Sequence, residues 1–358
     1  MKKIDVSILG CTGTVGQRLI EMLSNHPWFN IVSIAASERS SGKTYRDAAV
    51  NWYLPEDIPK DLGDMMVVNT DPSEAAAPLV ISALPSDVAK DVERKFAESG
   101  CVVESKASAY RMEKDVPLII PEVNPDHVKL LDVQKENREW DGCIVTDPNC
   151  TAMGLIMVLK PIHDRFKLDT VYVSTMQAIS GAGLPGVPGL LITDNVIPFI
   201  KDEEQKVMNE TRKVLGKIEN KQVKLADFKI AASCNRVPVV EGHTETVFIK
   251  TKEPANVEEV KKLLREFKGE PAKLGLPNAP KNPIIVRDEI DRPQPRLDRD
   301  AGTVPGMSVT VGRIRPGFDE NSLLLTLVSH NTIRGAAGNA VLNAELLYAK
   351  NLLGGSRN

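Results

Sequence analysis

The chain reads as an α/β protein: a doubly wound parallel sheet up to residue 149, then an α+β region with an antiparallel or mixed sheet. Three observations predict this. Short apolar strands alternate with helical stretches from residue 4 to residue 103. A glycine-rich turn, Gly10-Cys11-Thr12-Gly13-Thr14-Val15-Gly16, stands at the first strand-to-helix junction. Beyond residue 170 the strand-like runs crowd together and helices become fewer.

Residues 4–9 are a short apolar strand, and residues 15–23 carry helical spacing. A second strand at 31–36 runs into the polar loop Ser37-Glu38-Arg39-Ser40-Ser41-Gly42-Lys43. Residues 79–84 are a buried strand ended by Pro85-Ser86-Asp87, with Asp87 expected to cap a helix reaching residue 98. The next strand is expected at 101–103. In the second half, 171–178, 228–232, 245–250, 308–314 and 323–329 have strand character, with helices at 203–215 and 257–267. A long amphipathic helix is expected over 333–352, and the proline-rich stretch 271–295 reads as a surface connection.

At 358 residues the chain is long enough for two domains with full cores. A net charge of −3 with scattered Lys and Arg leaves no nucleic-acid footprint. The basic start Met1-Lys2-Lys3 runs through Asp5 into the glycine turn, which suits a first strand better than a signal peptide. No apolar run approaches the roughly 18 residues needed to span a bilayer. Cys11, Cys101, Cys143, Cys150 and Cys234 are odd in number and lack metal-type spacing. Reduced thiols in a cytoplasm, and no metal, are the expectation.

The chemistry concentrates in two places. A glycine-rich strand-to-helix turn is where a nicotinamide dinucleotide's pyrophosphate lies, because the helix N-terminus offers unpaired N–H groups. In the loop after the second strand, Ser37, Arg39 and Ser40 supply a guanidinium and two hydroxyls, which favours the 2′-phosphate of NADP over NAD; Glu38 is read as a solvated side chain. The second place is Asp147-Pro148-Asn149-Cys150-Thr151-Ala152-Met153-Gly154. A thiol at a helix N-terminus is expected to have a lowered pKa and to act as a nucleophile. A lone cysteine is more commonly a small buried hydrophobe, a reading that suits the other four. His243, in Arg236-Val237-Pro238-Val239-Val240-Glu241-Gly242-His243-Thr244-Glu245, is the best base, whereas His26, His127 and His163 read as surface residues. Arg236 is either a carboxylate clamp or a structural ion pair. The spacing of seven between Arg236 and His243 calls for a turn or bulge, with Gly242 the natural place.

These residues resemble a known family. The segments GCTGTVGQ, ASERSSGK, DPNCTAMG, MQAISGAG, RVPVVEGHTE, RPQPRLDRDAG and SHNTIRGAAGNAV look like those of aspartate-β-semialdehyde dehydrogenases, nearest to the archaeal and fungal branch. The resemblance runs nearly end to end. It implies a Rossmann-type domain over 1–149, completed by 331–358, where the last helix returns to it. Residues 150–330 would form a catalytic and dimerisation domain of the glyceraldehyde-3-phosphate-dehydrogenase-like type. It implies NADP(H), a homodimer or homotetramer, and a place in the biosynthesis of lysine, methionine, threonine and isoleucine.

Residue by residue, the resemblance makes Cys150 the nucleophile that forms an acyl-thioester and His243 the acid/base, with Gln177 orienting the substrate. Arg236 would bind the substrate α-carboxylate and Glu203 its ammonium, with Glu204 as the competing choice. Lys206 and Arg111 would hold phosphate, with Asn149 nearby. Gly10, Thr12, Gly13, Thr14, Val15, Gly16, Ser37, Arg39, Ser40, Ser86, Ser180 and Gly181 would contact the cofactor, and Asn331 its nicotinamide end. The implied reaction interconverts aspartyl 4-phosphate and NADPH with aspartate 4-semialdehyde, phosphate and NADP. Lys106 departs from the family pattern, which has Asn there, and so opens the question of the acyl acceptor. Two alternatives stand beside this reading: a malonyl-CoA reductase of the same fold, and a dinucleotide-binding regulator without chemistry.

Overall fold

The computed structural model describes residues 3–353, so Met1, Lys2 and the last five residues of the expected 331–358 segment lie outside the described residues. The first sheet contains β1 (Ile4–Leu9), β2 (Phe29–Ala36), β3 (Val67–Asn69), β4 (Leu79–Ser82), β5 (Val102–Ser105) and β6 (Cys143–Thr146). Its order is β3-β2-β1-β4-β5-β6, and every neighbouring pair is parallel. Strands such as β4 are buried along their whole length, which is why they read as unbroken apolar runs. The winding reverses between β1 and β4, and a crevice opens there beyond the strand ends. Helix α1 (Thr14–Leu23) leaves β1 and helix α2 (Ser86–Glu98) leaves β4, so both begin at that crevice; α3 (Leu130–Arg138) precedes β6.

Helix α4 (Cys150–Phe166) joins the two sheets. The second sheet is built from β7 (Leu168–Gln177), β10 (Lys229–Arg236), β11 (His243–Thr251), β12 (Ile284–Val286), β13 (Val309–Pro316) and β14 (Ser322–Ser329), while β8 (Lys217–Glu219) and β9 (Gln222–Lys224) form a separate hairpin. Its order is β10-β7-β11-β14-β13-β12, with mixed directions. One face is covered by α4, α5 (Glu203–Val214) and α6 (Val257–Glu266), whose apolar residues form one core with it. Along β7, Val171, Val173, Thr175 and Gln177 point into this core side and Tyr172 points out. The two-residue period therefore delivers Gln177 to the buried side at the strand's end.

Several expectations change. Asp87 is not the cap of α2: Pro85 holds that position without a side-chain bond, and Asp87 lies in the first turn, where its charge suits the helix dipole. The segment after Asn331 begins as a π-helical turn, Ile333–Ala337, and continues as α7 (Gly338–Ala349). It is not amphipathic: residues 338–347 are all buried, because the helix packs into the core of the first sheet beside α1. The proline-rich stretch is more than a surface connection, since it contains β12 and buries Leu276 and Ile284. His26 and His127 are buried, not surface residues; His26 meets Glu345 at 2.8 Å, and His127 meets Asn124 at 2.9 Å. No helix among the described residues is long and apolar enough to cross a membrane.

Candidate active site

The site assembles at one edge of the second sheet because three strand ends meet there. β7 and β10 run parallel and finish in register at Gln177 and Arg236. β11 runs the other way, pairing Thr244 with Met176, so its first residue, His243, starts beside the end of β7. The link 237–242 is not strand, and Gly242 has a φ of +100°. That left-handed turn carries Arg236 and His243 to the same edge, as their spacing required.

Helix α4 aims its N-terminus at this edge. Asn149 is the N-cap, and its Oδ1 accepts hydrogen bonds from the N–H groups of Thr151 (2.9 Å) and Ala152 (3.2 Å). Two first-turn donors are thus already used, which leaves the Cys150 N–H as the backbone donor beside the sulfur. Cys150 Sγ lies 3.3 Å from His243 Nε2. On the far side of the ring, the Ala178 N–H donates to His243 Nδ1 at 3.0 Å. Nδ1 must then keep its lone pair, and the neutral ring carries its hydrogen on Nε2, facing the sulfur.

The electrostatics differ from those expected of a helix-terminal thiol. Burial, with the Glu203 carboxylate adding to it, pushes the Cys150 thiol up to about 12, against the pull of Arg236, Arg111 and Lys106. Burial, then the Arg236 guanidinium and His330, pushes His243 down to about 3. The resting pair is therefore a neutral thiol and a neutral imidazole, and the expected lowering of the thiol is overturned by desolvation. Some of the Cys150 surface still reaches solvent.

Around this pair stand four charged groups, Glu203, Arg236, Arg111 and Lys106. Arg236 donates through Nη1 to the Ala178 carbonyl at 2.6 Å, and its side chain makes no other hydrogen bond among the described residues. Glu203 is buried and accepts from Asn149 Nδ2 (3.0 Å) and Thr151 Oγ1 (3.1 Å). Glu204 instead accepts from the Cys234 N–H at 3.1 Å, so Glu203 is the glutamate that faces the thiol's helix. Lys206 follows one turn after Glu203 on α5, and its ammonium has no hydrogen-bond or ion-pair partner among the described residues. Arg111 reaches Glu210 at 3.1 Å and the Lys106 carbonyl at 2.7 Å, and Glu210 accepts from the Asn149 N–H at 2.5 Å. Lys106 forms an ion pair with Asp147, three residues before the thiol. Glu210 was not singled out from the sequence, although its place seven residues after Glu203 puts it on the same helix face.

The dinucleotide side lies across the crevice. Gly10 has a φ of +74°, and a Cβ there would lie 2.7 Å from the Ala83 carbonyl oxygen. A Cβ on Gly16 would strike the Gly10 carbonyl. The turn thus needs both glycines to close on α1, leaving Thr12, Gly13 and Val15 partly open at the helix start. Thr14 is buried there. Arg39 and Ser37 are exposed after β2, with Ser40 beside them. Ser86 opens α2 and meets Ser108 at 3.0 Å. Asn331 links the two halves: its Nδ2 donates to Ser180 Oγ (2.8 Å), and its Oδ1 accepts from the Gly242 N–H (2.8 Å). A Cβ on Gly181 would lie 2.8 Å from Arg236 Nη1 and 3.3 Å from His243 Cε1, so this glycine leaves the two functional side chains room. Among the described residues no cluster has the make-up of a metal site.

Two family models match the chain: the semialdehyde dehydrogenase NAD-binding domain over residues 5–131 and the semialdehyde dehydrogenase dimerisation domain over residues 159–334. An aspartate-semialdehyde dehydrogenase of Archaeoglobus fulgidus is 54% identical over 98% of this chain and 100% of that protein. The chain belongs to the aspartate-semialdehyde dehydrogenase family. A crystal structure of the Candida albicans enzyme with NADP is similar at a TM-score of 0.89 and 42% identity, covering 98% of this chain and 99% of the other. A malonyl-CoA reductase (NADP) of Metallosphaera sedula is 39% identical over 98% of each chain. Both the two-domain α/β architecture and the archaeal and fungal affinity read from the motifs agree with these likenesses.

Proposed function

We propose that the chain interconverts aspartyl 4-phosphate and NADPH with aspartate 4-semialdehyde, phosphate and NADP through a thioester on Cys150. The observation that carries this reading is the 3.3 Å approach of Cys150 Sγ to His243 Nε2, flanked by Arg236 and Glu203. Arg236 meets the substrate's α-carboxylate with the N–H groups that the Ala178 carbonyl leaves unused, and Glu203 pairs with its ammonium. Gln177, buried at the end of β7, orients the carbonyl to be attacked. Bound NADP(H) supplies or accepts the hydride. The glycine turn, with Thr12, Gly13, Thr14 and Val15, cradles its pyrophosphate; Ser37, Arg39 and Ser40 take the 2′-phosphate. Ser86, Ser180 and Gly181 line the remainder, and Asn331 the nicotinamide end.

In the oxidative direction the thiol adds across the aldehyde carbonyl: the sulfur forms a bond to the carbon and the carbonyl electron pair moves to oxygen. That oxygen takes up the thiol proton to give a thiohemiacetal, whose hydroxyl proton is released when the hydride leaves. His243 Nε2–H and the Cys150 N–H are the donors placed for that oxygen. Once the thioester has formed, Arg111 and Lys206 hold the phosphate that displaces the sulfur. His243, neutral and with its hydrogen on Nε2, serves here chiefly as a donor, where the sequence reading made it the base that takes the thiol proton. Neutral, donating imidazole is a known solution where a ring nitrogen is pinned by a backbone N–H.

The domain division into 1–149 with the C-terminal segment and 150–330, and a cytoplasmic homodimer or homotetramer, belong to this same proposal. The five free cysteines and the matching dimerisation domain support it. The buried Glu203 favours aspartyl phosphate over malonyl-CoA, since a malonyl group has no ammonium to pair with it. An assay comparing aspartate semialdehyde with phosphate and NADP+ against malonyl-CoA with NADPH tests this. Turnover of the first pair, reduced by several orders of magnitude in Cys150→Ser, is expected. Preferred turnover of malonyl-CoA, or a serine variant as active as the parent, would overturn it.

A further inference from the structure

Lys213 lies on α5 ten residues after Glu203 and is only 3% exposed. It has no carboxylate in ion-pair contact among the described residues. Its Nζ instead donates to three backbone carbonyls, those of Arg111 (2.6 Å), Glu113 (2.7 Å) and Val116 (2.8 Å). An ammonium has three protons, so this cradle uses every one; a neutral amine, with two, would leave one of the three carbonyls without its lysine donor. The cradled segment is the one that carries Arg111. Glu210, one turn earlier on the same helix, meets the Arg111 side chain. Helix α5 thus grips Arg111 by its guanidinium and by its backbone at once.

We propose that Lys213 is a positioning residue for the anion site: as an ammonium it fixes the 111–116 segment so that Arg111 presents its guanidinium to phosphate. The proposal rests on the reading of Arg111 given above. It carries a pH dependence, because burial pushes Lys213 down to about 8 despite the nearby Asp115, Glu210 and Glu113. Other charges face it as well. Arg111 lies on the cradled segment, Asp115 is held by Arg138 at 2.6 Å, and His127 packs from the turn at Pro125–Lys129, itself pushed down by burial. Below about 8 the ammonium holds all three carbonyls. Above it the amine predominates, one carbonyl is released, and phosphate binding weakens.

The test is the KM for inorganic phosphate, with aspartate semialdehyde and NADP+, measured for the parent, Lys213→Met and Arg111→Met at a series of pH values. In Lys213→Met the phosphate KM should rise about tenfold, the scale expected when a binding group is misplaced, with the KM for NADP+ unchanged. The parent's phosphate KM should climb above a break near 8 that the variant lacks. If Arg111→Met raises the phosphate KM and Lys213→Met does not, the positioning role is wrong while the anion site stands. If Arg111→Met has no effect either, the reading of the anion site itself fails. Should Lys213→Met not fold, the parent's profile decides alone: a phosphate KM that is flat through this range overturns the proposal.

Discussion

Cys150 and His243 show how a residue's setting can reverse what its position suggests. A helix N-terminus stabilises a thiolate only when its N–H groups are free and the site is wet. Here Asn149 occupies two of those N–H groups, and burial dominates the rest. The pair therefore waits in its uncharged form. Arg39 is the opposite case, an exposed guanidinium whose reading needs no neighbours. Arg39→Ala should raise the KM for NADPH by about ten- to a hundredfold, the worth of a charge-assisted hydrogen bond, and leave that for NADH nearly unchanged. Equal effects on the two cofactors in steady-state assays would make the side chain structural. Lys106 also belongs at this scale. Its ion pair with Asp147 ties it to the strand end that leads to Cys150.

At the scale of elements, α5 and the C-terminal segment do the assembling. Glu203, Lys206, Glu210 and Lys213 recur at three- and four-residue steps on one helix face, so a single helix carries the groups proposed for substrate and phosphate and also meets the cap of α4 and the Arg111 segment. Sequence reading reached the first two of these and stopped, because spacing alone does not reveal what a helix face meets. The π-helical turn brings Gly335 against Cys150: a Cβ there would lie 2.7 Å from Cys150 Cβ. Its neighbour Arg334 turns the other way and makes a bidentate pair with Glu122 at 2.8 and 2.7 Å, both side chains fully buried. Arg334→Leu should lower the unfolding free energy by about 3–5 kcal/mol, because it leaves Glu122 buried and unpaired. Denaturant unfolding checks this, and the double variant with Glu122→Leu should recover most of the loss. A single variant as stable as the parent would show the pair to be dispensable.

For the whole molecule, the open face of the second sheet is the feature left without cover. Helices shield one side, while Tyr172 (47% exposed) and the partly buried Phe248 stand on the other. A face of this kind in a dimerisation domain suits an interface between two copies, whose centre excludes charge. Sedimentation or light scattering should give the mass of at least two chains, and Tyr172→Lys should shift it toward one. A monomeric parent would refute the assembly.

The sequence by itself determined what depends on neighbours along the chain. The winding of the first sheet followed from period and turn residues. The glycine turn and the thiol's helix start were legible because each is a local backbone requirement. The need for a left-handed turn at Gly242 followed from counting residues between Arg236 and His243. What the chain's order could not contain was burial. Whether His26 and His127 face solvent, which way the thiol's pKa moves, and why the last helix is buried all round depend on segments distant in sequence. So does the tautomer of His243, which rests on the Ala178 N–H arriving from another strand. Desolvation and long-range hydrogen bonds exist only once the sheets have packed, and here they decided the chemistry of the residues that the sequence had named.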